Sequence, residues 1–299
     1  MAVNRRELAR RIEGFPQWHY QFNLKGIMTP IFDKSHLNRH EQRKRYFFDP
    51  LVRLLGGSLE GMRVLDLGCN AGFWSLQAIR NGCDYVLGID ARKFHVEQAR
   101  LVFNVNEVDK SRYSFVTANI FDIDFGRWGS FDIVLCLGIL YHICKPICLL
   151  EKISNVNRDV LVIDASLSML PGCALKVRHE DLSDPRSGVQ DLSLIPTRRA
   201  VIQFALQFGY QVAVLKPEFT DYMGCHDYEN GSRRAFICSK KTDLNLLSKD
   251  DLENKLPVTK RVGGFVRELI SFISARGSLD ETIMSSKLFH DEVCRWCPL

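Results

Sequence analysis

Between residues 63 and 163, short apolar runs alternate with amphipathic stretches at regular spacing. Segments 63–67, 85–89, 113–117, 131–137 and 159–163 read as strands. The almost unbroken apolar run at 131–137 is the pattern of a strand buried on both faces. Residues 73–80 read as a helix ended by Asn81-Gly82, and residues 93–104 as another, with Val96, Ala99 and Phe103 on one face. A further helix follows Tyr141-His142 and starts properly at Pro146, and Thr197 caps one that ends at Gly209. Segments 211–215 and 234–239 read as two last strands, joined by the acidic, aromatic loop 217–231 and no helix. This order predicts an α/β fold: a seven-stranded, mostly parallel sheet with an antiparallel last strand and helices on both faces.

The flanks follow other patterns. Residues 4–13 read as a short, very basic helix, followed by the aromatic run FPQWHYQF at 15–22. Such a run either forms a lid over a site or staples the arm to the core, and both readings bury Trp18 and Tyr20. The basic stretch 34–45 is a solvated helix face or a surface that meets phosphates or an acidic substrate, and 51–55 reads as a helix stopped by Gly56-Gly57. Residues 166–195 read as a long irregular insertion of the kind that forms substrate walls. Beyond Lys241 a polar stretch leads to a helix at about 262–275, and Ser278 to Glu281 fits a capping box for one more. The expected organisation is therefore an N-terminal helical and aromatic arm (1–57), a core domain (58–241) containing the insertion, and a C-terminal helical extension (242–299) suited to packing or oligomerisation, with a dimer as one outcome.

Composition alters this picture little. The chain has 299 residues, 46% hydrophobic and 25% charged, enough for a full core. A net charge of only +5 neither demands nor excludes RNA. The ten cysteines form no regular framework, and no apolar signal segment follows the Arg-rich start, so reduced thiols in a cytoplasmic protein are expected. Cys294 and Cys297 have metal-ligand spacing but no second pair, so no metal is expected. No apolar run approaches the roughly 20 residues of a membrane span, so no membrane partner is expected.

The candidate chemistry gathers at strand ends. Residues 63–74, RVLDLGCNAGFW, put a carboxylate (Asp66), the turn Gly68-Cys69-Asn70-Ala71-Gly72 and a helix opening at Phe73 at the carboxyl end of one strand, where open α/β sheets bind nucleotides. Asn70 occupies a middle position where glycine is usual, and asparagine tolerates positive φ. Asp90, followed by Ala91, ends the next strand, where a carboxylate accepts hydrogen bonds from ribose hydroxyls or caps the following helix. Asn119 and Ile120 follow the third strand, and Leu137 to Tyr141 the fourth. An NAD-binding oxidoreductase would use the same carboxylate. The turn, however, lacks the further glycine that close pyrophosphate approach requires, and no arginine or lysine lies in it.

The turn resembles the first motif of class I S-adenosylmethionine (SAM) dependent methyltransferases, which implies a Rossmann-like fold. With the GID segment and Leu137-Gly138-Ile139-Leu140-Tyr141-His142, residues 46–240 resemble the tRNA wobble-uridine carboxymethyltransferase family. That resemblance implies SAM contacts at Gly68, Asp90, Asn119, Ile120, Leu137 and Tyr141, to which the turn adds Asp66, Asn70, Gly72 and Phe73, with Ala91 beside Asp90. The wobble-uridine enzyme uses a carboxylated SAM held by cations. This chain has Phe47 where that family has a lysine, and no arginine in the 218–231 loop. A buried cofactor carboxylate without a cation is costly, so ordinary SAM is expected, leaving S-adenosylhomocysteine (SAH).

The expected reaction is methyl transfer to O or N of a small-molecule acceptor, secondary metabolites included. His142 is the candidate general base, with Tyr141 framing the methyl group or the substrate; His142 otherwise serves only to bond its own loop. Trp18, His19 and Tyr20 are second-choice substrate contacts from the arm. Three alternatives stand beside this: a tRNA methyltransferase, an NAD-binding oxidoreductase, and a non-catalytic SAM-binding protein.

Overall fold

The computed structural model describes residues 4–253 and the strand Ile283–Ser285. In chain order the elements are α1 (Arg5–Glu13), β1 (Asn23–Leu24), β2 (Ile27–Met28), α2 (Arg39–Arg43), α3 (Asp49–Leu54), β3 (Arg63–Leu67), α4 (Phe73–Arg80), β4 (Tyr85–Asp90), α5 (Lys93–Val105), β5 (Tyr113–Thr117) and β6 (Phe131–Leu137). There follow α6 (Pro146–Val156), β7 (Asn157–Ser166), β8 (Ala174–His179), β9 (Leu192–Pro196), α7 (Arg198–Gln207), β10 (Gln211–Val214), α8 (His226–Glu229), β11 (Arg233–Ser239) and β12 (Ile283–Ser285).

The seven-stranded sheet has the order β10-β11-β7-β6-β3-β4-β5. β3, β4 and β5 are parallel, in a register that pairs Asp66 with Gly88 and Asp90 with Thr117, whereas β10 and β11 are antiparallel. This is the predicted Rossmann-like architecture. Burial explains the apolar runs: Val64, Leu65, Leu67, Val86, Leu87, Ile89 and Val134 are fully enclosed, as strands covered on both faces must be. The described residues divide into two compact units, one of 4–135, 156–160 and 219–225, the other of 136–155, 161–218, 226–253 and 283–285.

In the first unit, Asn4 caps α1 by accepting from the Arg6 N–H, and Leu8 and Ile12 form its buried side. α5 buries Val96, Ala99 and Phe103, the face that periodicity assigns to it. Gly88 of β4 lies so close to the Phe115 ring that a Cβ there would stand 2.5 Å from it. Neither reading of the basic stretch as an outward surface describes its inner half. A 3-10 turn (Lys34–His36), α2 and a wide π turn (Lys44–Phe48) lead into α3, and Arg39, His40, Gln42 and Arg43 are buried. Arg39 donates to the Gly224 carbonyl and Gln42 to the Asp221 carbonyl, so these side chains fasten the 219–225 segment. Charge counting along the chain cannot tell a solvated face from one turned inward onto backbone acceptors.

In the second unit, the expected irregular insertion is an antiparallel ribbon of β8 and β9, with Leu175 opposite Pro196 and His179 opposite Leu192. Leu175 and Leu194 pack with Ala200 of α7, against Ile147, Val177 and Phe204. Pro171, Gly172, Pro185 and Gly188 are turn signals that mask the short strands β8, which lies between the two pairs, and β9, which follows them. Thr197 does cap α7, accepting from the Ala200 N–H at 3.2 Å. β12 pairs with β8, so Ile283–Ser285 is strand where the sequence predicts a helix. The expected helix at 262–275, the capping box itself and Cys294/Cys297 lie outside the described residues. Among the described residues, no helix is long and apolar enough to cross a membrane, and no His, Cys, Asp and Glu cluster suits a metal.

Gly88→Ala tests the close packing of β4 on β5. Overpacking by one methyl against Phe115 is expected to cost about 1–3 kcal/mol. That lowers the melting temperature by roughly 2–10 °C; an unchanged melting temperature would show that the ring yields freely.

Candidate functional site

In the first unit the turn after β3 has the left-handed backbone its residues allow: φ is +65° at Gly68, +49° at Asn70 and +76° at Gly72. A Cβ on Gly72 would approach Ala99 to 3.1 Å, so this glycine also permits the close packing of the turn on α5. The turn is held from the neighbouring strand. Asp90 Oδ2 accepts from the Asn70 N–H at 3.0 Å, Cys69 N–H donates to the Ile89 carbonyl at 3.0 Å, and the Asn70 side chain accepts from the Ala71 N–H at 2.7 Å. Asp90 Oδ1 meanwhile accepts from the Arg92 N–H at 2.9 Å and lies 3.1 Å from His95 Nδ1. Asp90 thus does bond the backbone that opens α5, while also gripping the glycine turn.

Asp66 turns inward. It is 1% exposed and accepts from Ser75 Oγ of α4 at 2.6 Å. Burial pushes its carboxyl up to about 7, with the Asp90 charge adding to the rise and the Ser75 hydrogen bonds opposing it. Ala118 N–H donates to the Asp90 carbonyl at 3.0 Å, which brings the 118–120 loop to the same strand ends. Asn119 folds its side chain onto the Phe121 N–H, Ile120 is half-buried and Ala91 is exposed.

Phe73 does not face outward; it stacks on Tyr20, with ring centroids 4.8 Å apart and planes 7° from parallel. Tyr20 accepts from Trp74 Nε1 at 3.0 Å. Trp18 is completely buried and donates to the Ile12 carbonyl, so it anchors the arm within the unit and offers no face to a substrate. His19 is half-buried, stacks on Phe32, and its ring lies near those of His36 and His40. Burial holds His19 and His40 well below the ordinary imidazole range, with the Arg43 charge contributing to both. The aromatic run points to the arm, whereas His40 and Arg43 are concealed within the basic stretch. A groove of about 650 Å³ in this unit, lined by Arg11, Arg100, Asn104, Lys110, Tyr113 and Trp128 among others, contains none of the expected site residues.

In the second unit, Leu137 ends β6 with 7% exposure, and Gly138 (φ +85°) starts the turn that presents Tyr141 and His142. Tyr141 Oη accepts from Arg233 Nη1 at 3.0 Å. Arg233 in turn bonds both oxygens of the fully buried Asp164, which also accepts from Tyr228 Oη at 2.8 Å. Arg233 lies two residues beyond the 218–231 loop, at the first position of the last strand of the seven-stranded sheet in chain order. His142 Nδ1 is 3.0 Å from Glu180 Oε2, and Glu180 comes from the ribbon that replaces the expected irregular insertion. Burial lowers the His142 imidazole, only partly offset by Glu180. For Glu180, hydrogen bonds from His142, Arg178 and Ser193 outweigh burial and hold its carboxyl well below the usual range. No sequence signal points to Glu180, 38 residues from its partner.

Residues 58–178 match the family model described as a methyltransferase domain. This agrees with the class I resemblance read from the strand-turn-helix and LYH segments. The chain is similar to a ubiquinone biosynthesis O-methyltransferase of Neisseria meningitidis serogroup C, 31% identical over 114 residues, covering 38% of this chain and 47% of that protein. It is also similar to a tRNA U34 carboxymethyltransferase of a Sulfurovum species, 25% identical over 215 residues, covering 68% of this chain and 65% of that one. The chain therefore spans about half to two thirds of these curated relatives. Among solved structures, the N-terminal domain of EvdMO1, crystallised in the presence of SAH and D-fucose, superposes with a TM-score of 0.61 at 22% identity, covering 81% of this chain and 98% of that one. Magnesium protoporphyrin IX methyltransferase from Synechocystis PCC 6803, with bound SAM, gives 0.50 at 15% identity over 80% of this chain and 92% of that one. These superpositions show a shared fold.

The raised Asp66 carboxyl makes a signed prediction. Its folded-state value, about 7, exceeds the ordinary carboxyl value of 3.8, so the folded state binds the extra proton between these limits, and its stability contribution is lost as pH rises through that window. The stability of wild type minus that of Asp66→Asn, from urea denaturation, should fall between pH 4 and pH 7 by up to about 1.4 kcal/mol per pH unit; a flat difference contradicts a buried, neutral Asp66.

Proposed function

We propose that this chain is a SAM-dependent methyltransferase acting on O or N of a small-molecule acceptor. The observation that carries the proposal is the Asn70 N–H bond to Asp90, which joins a positive-φ turn to the carboxylate at the end of the next strand. The residues present fit the cofactor. Residues 66–73 carry no lysine or arginine, which suits a ligand without phosphate. Asp90 accepts from the Asn70 and Arg92 N–H groups and lies beside His95 Nδ1, and an ionised carboxylate has roughly four acceptor positions. A ribose hydroxyl is the further donor we assign to it. Gly68, Asn70 and Gly72 supply close backbone approach, and Asn119, Ile120, Ala91, Leu137 and Tyr141 are the further contacts we assign to it.

When bound, SAM supplies a methyl group already activated on a sulfonium, and the bond passes from sulfur to the acceptor, leaving SAH. The chain has to align the acceptor and take its proton. His142 is suited to taking the proton, because burial lowers its imidazole and Glu180 engages Nδ1, which leaves Nε2 to accept. Tyr141, fixed by Arg233, frames the acceptor side of its own turn. His19 is the arm residue we retain as a substrate contact, with Tyr20 supporting Phe73.

Two observations favour ordinary SAM over a carboxylated form. Phe47 is fully buried against Trp74, and the Arg233 charge is already neutralised by Asp164. The second reading, a tRNA methyltransferase, draws on the likeness to the tRNA U34 carboxymethyltransferase. The inward turn of Arg39 and Arg43 weakens it, because buried guanidiniums release few counterions on RNA.

Methyl-labelled SAM offered to a small-molecule extract and to total tRNA tests the proposal. Label is expected in the small-molecule fraction, and His142→Ala should lower turnover by about 10²–10⁴-fold while leaving SAM affinity nearly unchanged. Label in tRNA alone would favour the second reading, and label in neither would overturn methyl transfer.

A further inference from the structure

We infer that Glu180 is a positioning residue for His142, selecting the tautomer that leaves Nε2 free to take the acceptor's proton; the catalytic part of this rests on the methyltransferase reading. The carboxylate side chain is 1% exposed and the imidazole 16% exposed, so their 3.0 Å contact is shielded from water. An ionised carboxylate is acceptor-only, so an imidazole nitrogen facing it must donate. With Nδ1 committed, the lone pair of a neutral ring resides on Nε2.

Glu180 is itself held by a built set of donors. Gly188 N–H donates to the same Oε2 at 3.0 Å, and the Arg178 guanidinium bonds Oε1. Gly188 must be glycine for this arrangement. A Cβ there would come within 2.5 Å of the His142 carbonyl oxygen, so the 180–188 loop clasps His142 by backbone as well as by carboxylate. The charged groups that act on the imidazole are Glu180, which favours its protonated form, and Arg178 and Arg233, which oppose it; the Tyr141 ring lies 4.2 Å away.

During turnover the proton leaving the acceptor's O–H or N–H would pass to Nε2, while Nδ1–H stays bonded to Glu180. The carboxylate then faces an imidazolium, whose charge it stabilises until Nε2 releases the proton to solvent. Glu180 touches neither substrate nor cofactor in this scheme. It acts through the ring it orients.

The first readout needs no methyl acceptor: nitrogen chemical shifts of His142 in the full chain, without ligands, at neutral pH. The expected pattern is Nδ1 protonated and Nε2 bare. A proton on Nε2 would overturn the assignment whether or not the protein transfers methyl groups. In Glu180→Gln the tautomers should mix, turnover should fall about 100-fold with SAM affinity unchanged, and the acid limb of the kcat/KM profile should move to lower pH, because an anion beside the imidazole is gone. Glu180→Asp should recover part of the turnover and the original limb. Turnover within twofold of wild type in Glu180→Gln, with an unshifted limb, would reduce Glu180 to a structural bond. The expected wild-type tautomer with no methyl transfer would uphold the positioning and sink the methyltransferase reading.

Discussion

The bond between the Asn70 N–H and the Asp90 carboxylate organises the first unit. A turn with three left-handed positions lies beyond the strand ladder, so its backbone donors need partners of their own: Cys69 N–H finds the Ile89 carbonyl, Ala71 N–H the Asn70 side chain and Asn70 N–H the Asp90 carboxylate. Asp90 fixes that turn from the end of the adjacent strand and at the same time bonds Arg92 and His95 at the start of α5. One 7%-exposed carboxylate therefore ties two strand ends, a turn and a helix start together. Asp66, turned inward, completes the arrangement by accepting from Ser75 of α4. Two carboxyl groups 24 residues apart thus play different roles: Asp90 bonds backbone of the turn and of the helix start, whereas Asp66 bonds Ser75 within the interior.

In the second unit polarity is handled differently. Among the described residues, two sets of buried charges there are mutually bonded: Arg233 with Asp164, Tyr228 and Tyr141, and Glu180 with His142, Arg178 and Gly188. Breaking one member of such a set leaves an uncompensated buried charge, a cost of several kcal/mol. Both sets end on adjacent residues of one turn, Tyr141 and His142. The turn is thus braced from two directions, and the proposed proton transfer would call on such alignment.

Much of this is legible along the chain. Strands β3, β4 and β6 are mostly apolar runs, and the turn signature Gly-x-Asn-x-Gly needs no partner to be read, because its conformation is local. The capping of α7 by Thr197 is legible for the same reason. What stays hidden depends on distant contacts. The ribbon β8–β9 is two short strands set among turn residues, and the segment between them supplies Glu180 to a histidine far away in sequence. Arg39 and Arg43 read as surface charge, since nothing local reveals that they turn inward, Arg39 onto a carbonyl of the 219–225 segment. Trp18 and Tyr20 signal burial but not whether they meet a substrate or, as Trp18 does, the backbone of α1.

If the 68–72 turn and Asp90 form a SAM site, calorimetric titration of the full chain with SAH and with NAD reads it most directly. The expected result is saturable binding of SAH, weakened at least tenfold in Asp90→Asn, and no binding of NAD. Binding of NAD without SAH, or equal SAH affinity in the variant, would contradict it.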